Sequence, residues 1–193
     1  MSFRLTSILV LSVFCLAVPA WADFQAGMNA HDREDYATAL QEWQPLAEQG
    51  DALAQYQLGM LYHKGRGVPQ DDVQARKWYG KAAAQGQAKA QFSLGTLYFN
   101  GEGGPKDYQQ ALRWLRLAAD QGMALAQTKL AIMYDYGEGV RKDKVQAYKW
   151  LTLSAKNGDK SAPLLLSSLD KEMTPAQVAK AKKLASEWEP KGQ

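Results

Sequence analysis

Three segments of this chain superpose without a gap at an offset of 36 residues: Ala52 through Gly86, Ala88 through Gly122, and Ala124 through Gly158. The shared positions include Gln55/Gln91/Gln127, Leu58/Leu94/Leu130, Tyr62/Tyr98/Tyr134, Asp71/Asp107/Asp143, Ala75/Ala111/Ala147 and Trp78/Trp114/Trp150. A period of this length makes each unit one supersecondary element. Such a unit cannot bury both of its faces alone, so neighbouring units must stack into an array.

Each unit reads as two helices. In the first, Ala54, Leu58, Leu61 and Tyr62 recur at helical spacing, with Gly59 placed for close approach of a neighbour. Gly65 and Gly67 end it, because glycine accepts the left-handed conformation that closes a helix. Asp71 then caps the second helix, and Gln74 three residues on predicts a capping box, repeated as Asp107–Gln110 and Asp143–Gln146. Along that helix Ala75, Trp78, Ala82 and Ala83 form one apolar stripe, and Gly86 stops it.

The flanks depart from the period. Arg4, the uncharged apolar run Leu5 to Val18, Pro19 and the Ala20-Trp21-Ala22 site predict a removable leader at 1–22. Its run falls short of the about 20 residues that span a bilayer, so no stable membrane insertion is expected after cleavage. Residues 23–50 carry a second-helix pattern (Tyr36, Ala39, Leu40, Trp43, Leu46, Ala47, Gly50), with Trp43 one place late, and read as a degenerate N-terminal capping repeat. Repeats at 51–86, 87–122 and 123–158 follow, and then C-terminal capping helices at 159–193. There, Asp159 to Asp170 predicts a truncated first helix. Thr174, Pro175 and Gln177 open the last one, whose apolar face is Val178, Ala181, Ala185 and Trp188.

The lone cysteine, Cys15, lies in the leader, so packing and not disulfides must hold the remainder together. A net charge of +3, evenly spread along the sequence, gives no electrostatic case for a nucleic-acid partner.

The unit A-x-A-Q-x-x-L-G-x-x-Y-x-x-G-x-G-V…D-x-x-x-A-x-x-W-x-x-x-A-A-x-x-G resembles the Sel-1-like repeat, a relative of the tetratricopeptide repeat. Ala52-Leu53-Ala54-Gln55 through Gly86 carry the resemblance most fully. Gly104 stands in place of the usual valine, Ala131 in place of a glycine and Ser154 in place of an alanine. The resemblance implies an all-α fold: a right-handed α-solenoid of helix–turn–helix repeats, a TPR-like α/α superhelix. It also implies an adaptor or scaffold role, in bacteria often in an exported protein. A cysteine-rich branch of the family is associated with β-lactam binding or hydrolysis, and the paired cysteines of that branch are missing here.

Catalytic patterns are absent from the sequence. His31 and His63 lie on different units, neither with a second histidine or cysteine one helical turn away, so no metal site and no cofactor are expected. Gly101-Glu102-Gly103-Gly104-Pro105 aligns with Gly65-Arg66-Gly67-Val68-Pro69 and is an inter-helix turn, without the strand and lysine of a phosphate loop. The three aspartates are explained by capping, and the tryptophans by the apolar stripe.

Positions shared by all units serve the common packing, whereas positions that differ are released from it. On the first helix these are Leu53, Tyr56, Met60, His63 and Lys64. In the second unit they become Lys89, Phe92, Thr96, Phe99 and Asn100, and in the third Leu125, Thr128, Ile132, Asp135 and Tyr136. Their spacing of three, seven, ten and eleven residues puts each set on one helix face. In tetratricopeptide-like repeats that face lines the concave groove, although stacking also needs apolar surface, and Phe92 and Ile132 could supply it. The expected function is a monomeric, non-enzymatic module of the bacterial envelope that binds a segment of another protein in this groove. Its expected location is periplasmic. The alternatives are a secreted host-interaction factor and, with least support, a β-lactam-processing hydrolase.

Overall fold

The computed structural model describes residues 23–191. The leader expected at 1–22 lies outside the described residues. Ten helices follow in order among those described, and no strand. They are α1 (Phe24–Asp32), α2 (Tyr36–Glu48), α3 (Ala52–Lys64), α4 (Asp72–Ala84) and α5 (Ala88–Asn100). After them come α6 (Tyr108–Asp120), α7 (Ala124–Tyr136), α8 (Lys144–Lys156), α9 (Ala162–Asp170) and α10 (Pro175–Ser186). Each helix packs on the next through α9, while α10 turns back onto α8. The result is an all-α repeat solenoid. No described helix is long and apolar enough to cross a membrane.

The shared residues explain this stacking. Gly65, Gly101 and Gly137 close α3, α5 and α7 at φ 63°, 79° and 77°, the left-handed region where a side chain is disfavoured. The aspartate caps bond as expected: Asp71, Asp107 and Asp143 accept from the backbone N–H of Gln74, Gln110 and Gln146. The reciprocal half of the expected box is not formed. The aspartates' own N–H groups already donate to the carbonyls of Tyr62, Tyr98 and Tyr134, at 3.0, 2.9 and 2.8 Å, which leaves the glutamines no donor to satisfy. Among the described residues a complete box forms only at Thr174 and Gln177, opening α10.

The shared glutamines are buried and tie unit to unit. Gln55, Gln91 and Gln127 donate to the carbonyls of Ala47, Ala83 and Ala119. Their side-chain oxygens accept from Gln85, Gln121 and Asn157 of the helix that follows. Each glutamine thereby joins three consecutive helices.

Two of the departures noted in the sequence have partners elsewhere, one in the same unit and one in the unit before. A Cβ on Gly59 would sit 2.5 Å from Cδ1 of Tyr79, and one on Gly95 2.7 Å from Cγ of Leu115. The third unit has Ala131 against Leu151, both buried. The second exchange concerns Gly104. Between the N-terminal pair and the first unit, Leu40 and Val68 pack on one buried cluster, and 72 residues on, between the second and third units, Leu112 and Val140 do the same. Between them the pair is Arg76 and Gly104. The Arg76 guanidinium lies 3.7 Å from the Tyr98 ring centre and donates to the carbonyls of Gly103 and Pro105, occupying the space a valine would fill.

The ends are finished differently. Residues 23–50 form a helix pair, with the shortened α1 set under Trp43, which is fully buried and donates to the carbonyl of Phe24. At the other end Lys144 pairs with Glu172, at the position where Tyr36, Asp72 and Tyr108 each meet the glycine loop of the following unit. Trp188 packs edge-on against Trp150 at 6.0 Å.

Candidate partner-binding face

The first helices of successive units meet side by side. Gln57 donates to the sulfur of Met28 at 2.9 Å, and Nζ of Lys129 lies 4.0 Å from the Phe99 ring centre. The divergent residues therefore lie on one surface that crosses the units, but they divide into two groups.

The central members are largely engaged in packing. Tyr56 lies 5.6 Å from the ring of Tyr79, and burial raises its phenol above the ordinary value, opposed by the Ser93 hydrogen bond. Met60 packs on the same cluster. Phe92 is wedged between the second and third units, and Phe99 stands edge-on to Tyr108 at 5.2 Å. Thr96 returns its hydroxyl proton to the carbonyl of Phe92. His63 is tied to Asp72 at 2.7 Å, linking α3 to α4. Thr128 is buried and bonded to Ser154 and Asp159. It serves the junction with α9 and is closed to a partner.

The outer members are free. Leu53 is 51% exposed, Leu125 54% and Tyr136 73%, large apolar side chains with no cover; Lys64, Lys89 and Asn100 are exposed beside them. Ile132, Asp135 and Tyr136 come together with Leu151, Leu165 and Glu172 around a pocket of 130 Å³ between α7 and α9. That is close to the size of an apolar cavity that takes one benzene ring, about 150 Å³.

The sequence set omitted Gln57/Ser93/Lys129, which also differ between units and point at the neighbouring first helix. Lys129 is half-buried, and burial pulls its ammonium below the ordinary value while Glu138 and Glu102 oppose that. The signal was present in the variation itself. Leu165 was invisible because α9 has lost the repeat register that would have aligned it.

His31 lies between the rings of Tyr36 and Trp43, far in sequence from His63. No group of three metal-ligating side chains occurs among the described residues.

The Sel1 repeat family matches residues 52–87, 88–123 and 124–159, more than half of the chain and in the register of the helices above. The chain belongs to the Sel1 repeat family. Members of this family are generally protein-interaction modules and typically non-catalytic scaffolds. Among solved structures, this Sel1 repeat chain is similar to a Sel1 repeat protein from Oxalobacter formigenes at 33% identity and a TM-score of 0.72, covering 89% of this chain and 74% of that one. It is also similar to a protective antigen present in uropathogenic Escherichia coli strains that displays an SLR fold. There the identity is 30% and the TM-score 0.60, over 86% of this chain but only 44% of the antigen. No curated protein matches the sequence at a significant level.

Proposed function

We propose that this Sel1 repeat chain is a non-enzymatic binding module of the bacterial cell envelope that holds an extended segment of a partner protein across its first helices. The observation that carries this reading is the set of exposed apolar side chains on the first helices, Leu53, Leu125 and Tyr136, with a 130 Å³ recess lined by Tyr136 and Ile132. Large apolar groups beside single charges are the composition of an interface, and a recess of this size takes one apolar side chain of the bound segment. Export rests on the leader pattern of Arg4, Leu5 to Val18 and Ala20-Trp21-Ala22.

Tyr56, Phe92 and Phe99 are packed, so truncating them would disturb the stacking as well as the surface. Leu125→Asp with Tyr136→Ala alters only exposed groups. Affinity capture from an envelope extract is expected to yield a protein retained by the parent chain and lost by this variant, with the helical circular dichroism unchanged. Equal capture by both removes the face from consideration.

The likeness to a protective antigen supports a second reading, a factor acting outside the cell. Release by osmotic shock supports the periplasmic reading, and recovery from culture supernatant the external one.

A further inference from the structure

The charge that is evenly spread along the sequence is gathered in the fold. An open cleft of about 820 Å³ lies between α6, the α7–α8 turn, the start of α8 and the first turn of α10. Its lining holds Arg116, Arg141, Lys142 and Lys144 and a single carboxylate, Asp143. Glu172 neutralises Lys144 from one side, while Arg141 and Lys142 are exposed. Arg116 is held in place: it donates to the Tyr134 hydroxyl and lies 5.6 Å from the Tyr134 ring centre and 5.2 Å from that of Trp150. A guanidinium fixed in this way keeps its remaining N–H groups aimed without further loss of freedom.

The repeat itself shows that the fold does not require these cations. At the position of Arg141 the other units have Pro69 and Pro105, at that of Lys142 they have Gln70 and Lys106, and at that of Lys144 they have Asp72 and Tyr108. Arg116 corresponds to Gly80 and Thr152. Only the side of the third unit that faces α6 carries the full set.

We propose that this cleft is a second contact site, on the opposite helices from the apolar face, and that it takes an acidic peptide segment. Three observations decide among anions. The N–H groups of Val145 and Gln146 at the start of α8 are already occupied by Asp143, so no backbone cradle is open to a single phosphate. The lining holds one aromatic ring, Tyr134, engaged at its hydroxyl by Arg116, and a single ring is no row of platforms for stacking successive bases. The cations surround a concavity rather than a plane, which suits a chain entering it better than a lipid surface. Several separate side-chain cations along a cleft match several carboxylates along a peptide.

The test is fluorescence anisotropy of a labelled glutamate-rich peptide with the full chain. Saturable binding is expected, weakening between about 50 and 200 mM salt as exposed charges are screened. Arg141→Ser with Lys142→Gln is expected to weaken it about tenfold, the loss of two exposed charge contacts. Arg141→Glu with Lys142→Glu is expected to abolish it. Lys64→Gln with Lys89→Gln removes the same net charge from the other face and is expected to leave binding intact, as is Leu125→Asp with Tyr136→Ala. Absence of saturable binding overturns the proposal, and so does equal weakening by the Lys64/Lys89 variant. Preference for single-stranded DNA or for anionic vesicles over the peptide overturns the assignment of the partner.

Discussion

Replacing Arg76 by leucine and Gly104 by valine, singly and together, separates a compensated exchange from two independent changes. Arg76→Leu alone removes a guanidinium 3.7 Å from the Tyr98 ring centre and two hydrogen bonds of 3.4 Å to loop carbonyls. A partly buried cation over an aromatic ring is worth about 0.5–2 kcal/mol, and the long hydrogen bonds add little, so a cost of about 1–2 kcal/mol is expected. Gly104→Val alone sets a Cβ onto Nη1 of Arg76 and drives the guanidinium out, while φ at 104 is +156°. That costs about 2 kcal/mol, counting the same lost contacts and the loop adjustment. In the double variant the overlap has no object, and the two apolar side chains can pack as Leu40 with Val68 and Leu112 with Val140 do. The double is therefore expected to cost about 1–2 kcal/mol, some 2 kcal/mol less than the sum of the singles. Urea unfolding followed by circular dichroism measures the cycle, provided the slopes agree, because stacked repeats can lose cooperativity. Singles that add to within about 0.5 kcal/mol of the double would refute the exchange.

Further expectations follow from other contacts. Gln91→Leu leaves the carbonyl of Ala83 and the amide of Gln121 without their buried partner; a loss of about 1–3 kcal/mol in urea is expected, against almost none for exposed Gln70→Leu. Asp159 is disfavoured by burial, but hydrogen bonds from Thr128, Ser161 and Ser154 outweigh that and hold its carboxyl below the ordinary value. A lowered folded value gives stability that is present above the unfolded value, about 3.9, and is lost as pH falls through the folded one. Asp159→Asn is thus expected to be destabilised at neutral pH, with the difference from the parent vanishing in acid; a difference independent of pH refutes this. Trp188→Ala removes the ring packed on Trp150. It is expected to cost about 2 kcal/mol and to shift tryptophan emission to the red as Trp150 is uncovered.

The helices were legible because the shared residues do the same physical work in every unit. Gly65 closes a helix, Asp71 caps one and Leu58 is buried wherever the pattern recurs. What the spacing could not show was competition for single atoms. Gln74 stands where a capping-box partner belongs, yet the N–H it would receive is already spent on Tyr62. Helix α1 has neither the A-x-A-Q start nor the Leu-Gly pair, so nothing in the spacing marked it; its contacts with Trp43 and Gln57 join it to the array. The candidate face was legible as a set of divergent positions, but divergence alone did not distinguish Tyr136, which is exposed, from Thr128, which is buried.

That distinction has a physical source in the third unit. With no fourth repeat behind it, its differences from the others must first serve the junction with α9 and α10. Ser154 and Thr128 meet Asp159, and Lys144 meets Glu172, where another unit's loop would have lain. Divergence at the end of a solenoid is therefore in part closure, and the residues so engaged are poor evidence of a ligand. Leu125 and Tyr136 on one side, and Arg141 and Lys142 on the other, are exposed and serve neither the stacking nor the closing hydrogen bonds. Neither stacking nor closure requires them, and uncovered apolar and cationic groups gain most from a partner that buries or pairs them. Function is accordingly to be sought at these four positions before the packed Tyr56, Phe92 and Phe99.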